Sequence, residues 1–91
     1  MGSKEKQRFY IGGRWYSPDN ATPLCRYGGI FDTVTLYQSP HGAFFTVAES
    51  LADLPAVKVL TEREARAFMD EHAAGIDTEN YNRIFGEPEQ G

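Results

Sequence analysis

The sequence predicts an α+β fold: a small antiparallel sheet of four to five short strands, one amphipathic helix packed on it, and a short C-terminal helix. Three observations predict it. "DTVTLYQSPHGAFFTVA" alternates apolar and polar residues on either side of a turn, "TEREARAFMDEHAAG" repeats apolar residues at helical spacing between a start and a stop signal, and "DTENYNRIFGEP" does the same over a shorter span. The 91 residues suffice for one domain, of a size that buries roughly 60% of the unfolded chain's surface. That domain is expected over 8–86. Residues 1–7 read as a flexible lead, with Met1-Gly2-Ser3 as an expression scar, and 87–91 as a flexible acidic tail.

"RFYIGGRWY" opens the domain as a hairpin, because Gly12-Gly13 supplies the positive φ angles of a two-residue turn. "SPDNATP" follows as a turn or a single helical turn, and Leu24 to Tyr27 as a strand that breaks at Gly28-Gly29. In the next hairpin Val34 and Leu36 alternate with Thr33, Thr35 and Tyr37, and Phe45 and Val47 with Phe44 and Thr46. One apolar face is expected, made of Val34, Leu36, Phe45 and Val47, with a semi-polar face behind it. "AVKVL" reads as a further strand. Thr61 and Glu64 have capping-box spacing at the start of a helix over 62–74, whose inward stripe is Ala65, Phe68, Met69, His72 and Ala73, with Gly75 as its C-terminal cap. Asp77 or Thr78 caps the last helix, where Tyr81, Ile84 and Phe85 share a face; Gly86 and Pro88 stop it.

Composition narrows the function classes. The chain is 41% hydrophobic and 24% charged, the profile of a folded domain, and it has neither a membrane-spanning stretch nor an apolar leader, so a soluble cytoplasmic protein is expected. Cys25 is the single cysteine, which leaves no intramolecular disulfide and no paired-cysteine zinc pattern. The net charge of −4 is unevenly spread. Through Ala48, five bases face three acids, a balance of +2; from Glu49 on, four bases face ten acids, a balance of −6. An acidic half suits a basic partner better than a phosphate backbone.

No catalytic signature is present. His41 lies in a turn and His72 on a helix, no nucleophile elbow accompanies either, and the paired glycines have neither P-loop nor dinucleotide spacing. The chain therefore reads as a non-enzyme without cofactor or metal. Two surfaces remain. Asp70, Glu71, Asp77, Glu79 and Glu87 gather where the two helices meet, an anionic patch able to enter a protein's nucleic-acid groove. As an alternative, Arg8, Arg14 and Trp15 put guanidinium groups and an aromatic ring on the first hairpin, the equipment of a nucleic-acid-binding accessory factor, although a pI near 5.0 argues against direct nucleic-acid binding.

The order "IGGRWYSPDNATPL", "TLYQSPHGAFFTVAES", "VKVLTEREARAFMDEHAA" and "NYNRIFGEPEQ" resembles a family of small, mostly uncharacterised proteins carried on mobile elements of bacteria. Those chains read in outline as Tyr-Asp-Thr-x-Thr-Ala, a Leu-Tyr strand, a hairpin ending in Gly-x-Tyr-Phe, a Leu-(Ser/Thr)-x-x-Glu-Ala helix and a Tyr-x-x-Ile-Phe-Gly-Glu ending. Tyr16 and Ala21 match the ends of the first motif, Leu36, Tyr37, Gly42, Phe44 and Phe45 the hairpin, Leu60, Glu64 and Ala65 the helix start, and Tyr81, Ile84, Phe85, Gly86 and Glu87 the ending. "YSPDNA" departs from the first motif. Small cargo proteins of phages and mobile elements are often counter-defence factors that act by stoichiometric binding. The resemblance thus implies an inhibitor of a host CRISPR effector, with the basic nucleic-acid-binding surface of that effector as its partner.

Overall fold

Gly12 and Gly13 adopt φ angles of +58° and +79°, two successive left-handed residues, so the chain reverses in the tight turn that matches strand twist. Ile11 and Arg14 then face each other, and β1 (Phe9–Ile11) pairs antiparallel with β2 (Arg14–Tyr16). The computed structural model describes residues 8–29, 31–51 and 54–86. The expected flexible lead 1–7 and acidic tail 87–91, with Glu87 among them, lie outside the described residues. After β2 the Ser17 hydroxyl accepts a hydrogen bond from the Asp19 N–H, and Pro18 supplies a helical φ, giving the single 3₁₀ turn Pro18–Asn20.

Four strands follow and pair in chain order, each antiparallel to the next: β3 (Thr22–Gly28), β4 (Asp32–Gln38), β5 (Phe44–Ser50) and β6 (Ala56–Leu60). Their register overturns the expected single apolar face. Five residues connect β4 to β5, so Gln38 lies opposite Phe44, Leu36 opposite Thr46 and Thr35 opposite Val47. Residues directly opposite share a face, which puts Val34 and Leu36 on one side of the sheet and Phe45 and Val47 on the other. Both sides are therefore covered. Even Thr35 and Thr46, expected on a semi-polar face, are buried.

The result is three layers. On one side Leu36 and Phe44 pack with Leu24, Cys25 and the helical residues Ala65 and Met69; a register shift between Pro23 and Cys25 turns both Leu24 and Cys25 into this core. On the other side Phe45 and Val47 pack beneath Tyr16, ringed by Ile11, Tyr37, Val57 and Val59. The β1–β2 hairpin is thus a lid on the second face. Tyr16 and Tyr37 each bring a ring to 5.3 Å from that of Phe45, one tilted and one stacked.

Helix α1 (Glu62–Glu71) begins with the expected capping box: the Glu64 N–H donates to Thr61 Oγ1 at 3.1 Å, and the Thr61 N–H donates to Glu64 Oε1 at 2.9 Å. Thr61→Ala should lower stability by about 1 kcal/mol, read from the midpoint of urea unfolding. The Thr61 N–H also holds the Glu64 carboxyl below its ordinary value of 4.5. A depressed folded pKa contributes stability present above the unfolded pKa and lost as pH falls through the folded one. Wild type should therefore lose an advantage over Glu64→Gln, whose amide can still accept the Thr61 hydrogen bond, as unfolding is followed from neutral pH to below 4.5. A pH-independent difference would contradict this.

The helix stops sooner than the expected residue 74. Glu71 is its last residue, His72 leaves helical geometry, and Ala73–Gly75 form a 3₁₀ turn that leaves Ala73 exposed, outside the buried stripe. Gly75 is not a left-handed cap. Its backbone lies against β3, where a Cβ would overlap the carbonyl oxygen of Arg26. The chain then pairs with β3: Ile76 forms an isolated antiparallel bridge with Cys25, and the Asp77 N–H donates to the Leu24 carbonyl at 2.8 Å. This short pairing covers the outer edge of β3.

Helix α2 (Thr78–Phe85) is capped by Asp77, whose Oδ1 accepts from the Asn80 N–H at 3.1 Å. Asn80 Nδ2 in turn donates to the Pro23 carbonyl at 2.9 Å, tying the helix start to β3. Gly86, at φ +82°, ends the helix. Tyr81, Ile84 and Phe85 pack on the helix-side core as the spacing predicts, with Phe85 stacked 6.1 Å from Phe44. Of its two i, i+4 acids, Arg66 takes Glu62, at 3.0 Å, and its guanidinium lies 4.7 Å over the Phe85 ring, linking the two helices.

Candidate interaction surfaces

The structure places Asp70 and Glu71 in the last turn of α1, Asp77 at the start of α2 and Glu79 in its first turn; all four are exposed. Two of them have intramolecular roles. Asp77 caps α2, a place where negative charge also suits the helix dipole, and Glu79 pairs with Arg83 at 3.6 Å. Asp70 and Glu71 differ, because they stand at the negative end of α1 in a last turn that carries no base.

The first hairpin brings its candidates together. Tyr10 lies directly opposite Trp15, so both leave the Tyr16 side of the ribbon and face outward, 73% and 46% exposed. The Arg8 guanidinium sits 4.7 Å over the Trp15 ring. Arg14, opposite Ile11 in the register, instead lines a cleft of about 600 Å³ between β2 with its 3₁₀ turn and the β4–β5 connection. Trp15, Asn20, Ser39 and His41 line it too. Ser39 makes that wall rigid. Its hydroxyl accepts from the Ala43 N–H at 3.1 Å, its own N–H donates to the Ala43 carbonyl at 2.7 Å, and its carbonyl accepts from the Gly42 N–H at 2.9 Å.

The remaining polar chemistry belongs to packing. The His72 imidazole stacks on Tyr27, with ring centres 3.7 Å apart and planes within 6°, and Phe68 meets both rings. Cys25 is a buried free thiol whose Sγ donates to the His72 carbonyl at 3.3 Å. Burial pushes its pKa up, against a smaller opposing effect of a hydrogen bond with the Arg26 backbone. Burial likewise raises the Tyr37 phenol, partly offset by a hydrogen bond with Thr35. Among the described residues no group of three His, Cys, Asp or Glu side chains is placed to hold a metal ion. No helix among them is long and apolar enough to cross a membrane.

Sequence reasoning missed the cleft and an apolar edge. Asn20 and His41 stand in "SPDN" and "SPHG", each legible as a turn, but nothing in either stretch signals that the two turns meet. At the β3–β4 and β5–β6 ends Phe31, Leu51 and Leu54 are exposed, and the Leu51 N–H donates to the Phe31 carbonyl at 3.2 Å. Large apolar residues inside "GGIFD" and "ESLADLP", beside the Gly, Ser, Asp and Pro that mark turns, were the available signal. No protein-family model, no curated protein and no solved structure matches the chain.

Proposed function

We propose that the chain is a non-enzymatic interaction protein of a mobile element, acting as a stoichiometric inhibitor that offers an acidic surface to the nucleic-acid-binding face of a host protein, most concretely a CRISPR effector in the cytoplasm. The observation that carries this reading is the pair Asp70 and Glu71. Both are exposed at the helix end where the dipole disfavours them and no base in the turn offsets them, so a cationic partner removes an unfavourable interaction as it binds. The mobile-element family resemblance supplies the kind of target.

The test is capture of the effector by tagged protein at two salt concentrations, with a nuclease-treated control and a target-cleavage assay. Binding should weaken steeply with salt and survive nuclease. Asp70→Lys with Glu71→Lys should abolish inhibition while the melting temperature holds. Asp77→Asn removes a charge and keeps the cap, so it should weaken capture without unfolding α2. Inhibition that persists in the double reversal would exclude this surface.

A second reading has one observation in its favour, the exposed Tyr10 and Trp15 with the Arg8 guanidinium over the indole. On that reading the hairpin stacks bases of single-stranded nucleic acid. Arg8→Ala with Trp15→Leu should then remove binding to a single-stranded oligonucleotide, and the reading fails if wild type binds none.

A further inference from the structure

The hairpin and the cleft beside it share Trp15, and the cleft's chemistry is more specific than that of the hairpin alone. In a chain of net charge −4, the ionisable side chains at this site that can carry positive charge, Arg14 and His41, meet no carboxylate on its walls. Its volume of about 600 Å³ lies within the range of small-molecule sites, roughly 300–1,000 Å³. Trp15 stands at the cleft's outer rim, with the Arg8 guanidinium over one face of its ring. Asn20 provides an amide with both donor and acceptor atoms, and the Ser39 hydroxyl, which already accepts from the Ala43 N–H, keeps its proton to donate.

We infer that this cleft binds a nucleoside phosphate unit, either a free nucleotide or one residue of a single strand. The base stacks on Trp15 from the side that the Arg8 guanidinium does not cover, the phosphate takes charge-assisted hydrogen bonds from Arg14 and His41, and Asn20 meets the sugar or the base edge. Both walls are fixed before a ligand arrives. The hydrogen bonds around Ser39 hold the connection that carries His41, and the contact of Tyr16 with Phe45 seats β2 on the sheet. Little ordering entropy therefore opposes binding. The inference rests on the second reading above for its aromatic ring, and adds to it a bounded site and the phosphate contacts.

Trp15 is the only tryptophan in the chain, so its fluorescence reports on the cleft directly. Adenosine 5′-monophosphate, adenosine, inorganic phosphate and a single-stranded oligothymidylate would each be titrated at low salt into the full chain and into Arg14→Ala, Asn20→Ala, His41→Ala and Arg8→Ala, all at exposed positions, with melting curves to confirm folding. Adenosine monophosphate should perturb Trp15 at concentrations about tenfold below those needed for adenosine or phosphate, and Arg14→Ala and His41→Ala should each weaken it about tenfold. Competition between the nucleotide and the oligonucleotide would identify a strand as a source, and nucleotide binding without oligonucleotide binding would assign the free nucleotide. Oligonucleotide binding that depends on Arg8 and ignores Asn20, His41 and added nucleotide would overturn the cleft and leave the hairpin reading standing. Silence from both ligands would overturn both.

Discussion

Replacing Phe45 with Ala is expected to cost about 3–5 kcal/mol, a large share of the total for a domain whose stability is on the order of 5–15 kcal/mol. Phe45 is fully buried, and its ring carries both Tyr16 and Tyr37. It faces the hairpin and not the helices, so its loss should act unevenly. A fall in melting temperature of more than about 12 °C should come with red-shifted Trp15 emission, as β1 and β2 lift from the sheet, before helical circular dichroism declines. Phe44→Ala, one residue away on the opposite face and stacked on Phe85, should lose helix and sheet together. If the two variants unfold with the same spectroscopic course, the two-sided sheet described above is wrong.

Gly75→Ala is the second large effect. A methyl group there would meet the Arg26 carbonyl oxygen, backbone against backbone, with no flexible side chain to move aside. Overpacking of this kind costs about 1–3 kcal/mol, and the upper end is expected because the same stretch carries the Ile76 to Cys25 bridge and the hydrogen bond from Asp77 to Leu24. The melting temperature should fall by about 10–20 °C, with faster hydrogen exchange along β3. Gly29→Ala is the control: nothing lies within 4 Å and its φ is not left-handed, so the change should stay below about 1 kcal/mol. Equal stability of the two variants would remove the close approach from the account of the fold.

What the sequence disclosed follows the range over which each signal acts. The Gly12-Gly13 turn, the capping box of Thr61 and Glu64, and the spacing of Tyr81, Ile84 and Phe85 are all decided within a few residues, and each is found where expected. The faces of the central hairpin were misassigned because alternation within a strand says nothing about which residue lies opposite. That parity is fixed by the Ser39–Ala43 connection. Gly75 looked like a cap because a glycine stands where a helix ends. Its need is a neighbour 49 residues earlier in the chain, which no local pattern reveals. The acids of the two helices were legible one by one, but a composition count could not distinguish Asp77 and Glu79, which have partners within α2, from Asp70 and Glu71.

The bridge between Ile76 and Cys25 also sets a schedule for synthesis. The strands β3 to β6 are complete once Leu60 has been added, but the outer edge of β3 acquires its pairing only when the segment around Ile76 appears, 16 residues later. At roughly 5–20 residues per second, that leaves about 1–3 s during which a nascent chain carries a complete sheet with an open edge. Any two chains made side by side on one message have that interval in which to join through their first strands, and the segment Ala73–Asp77 is what ends it.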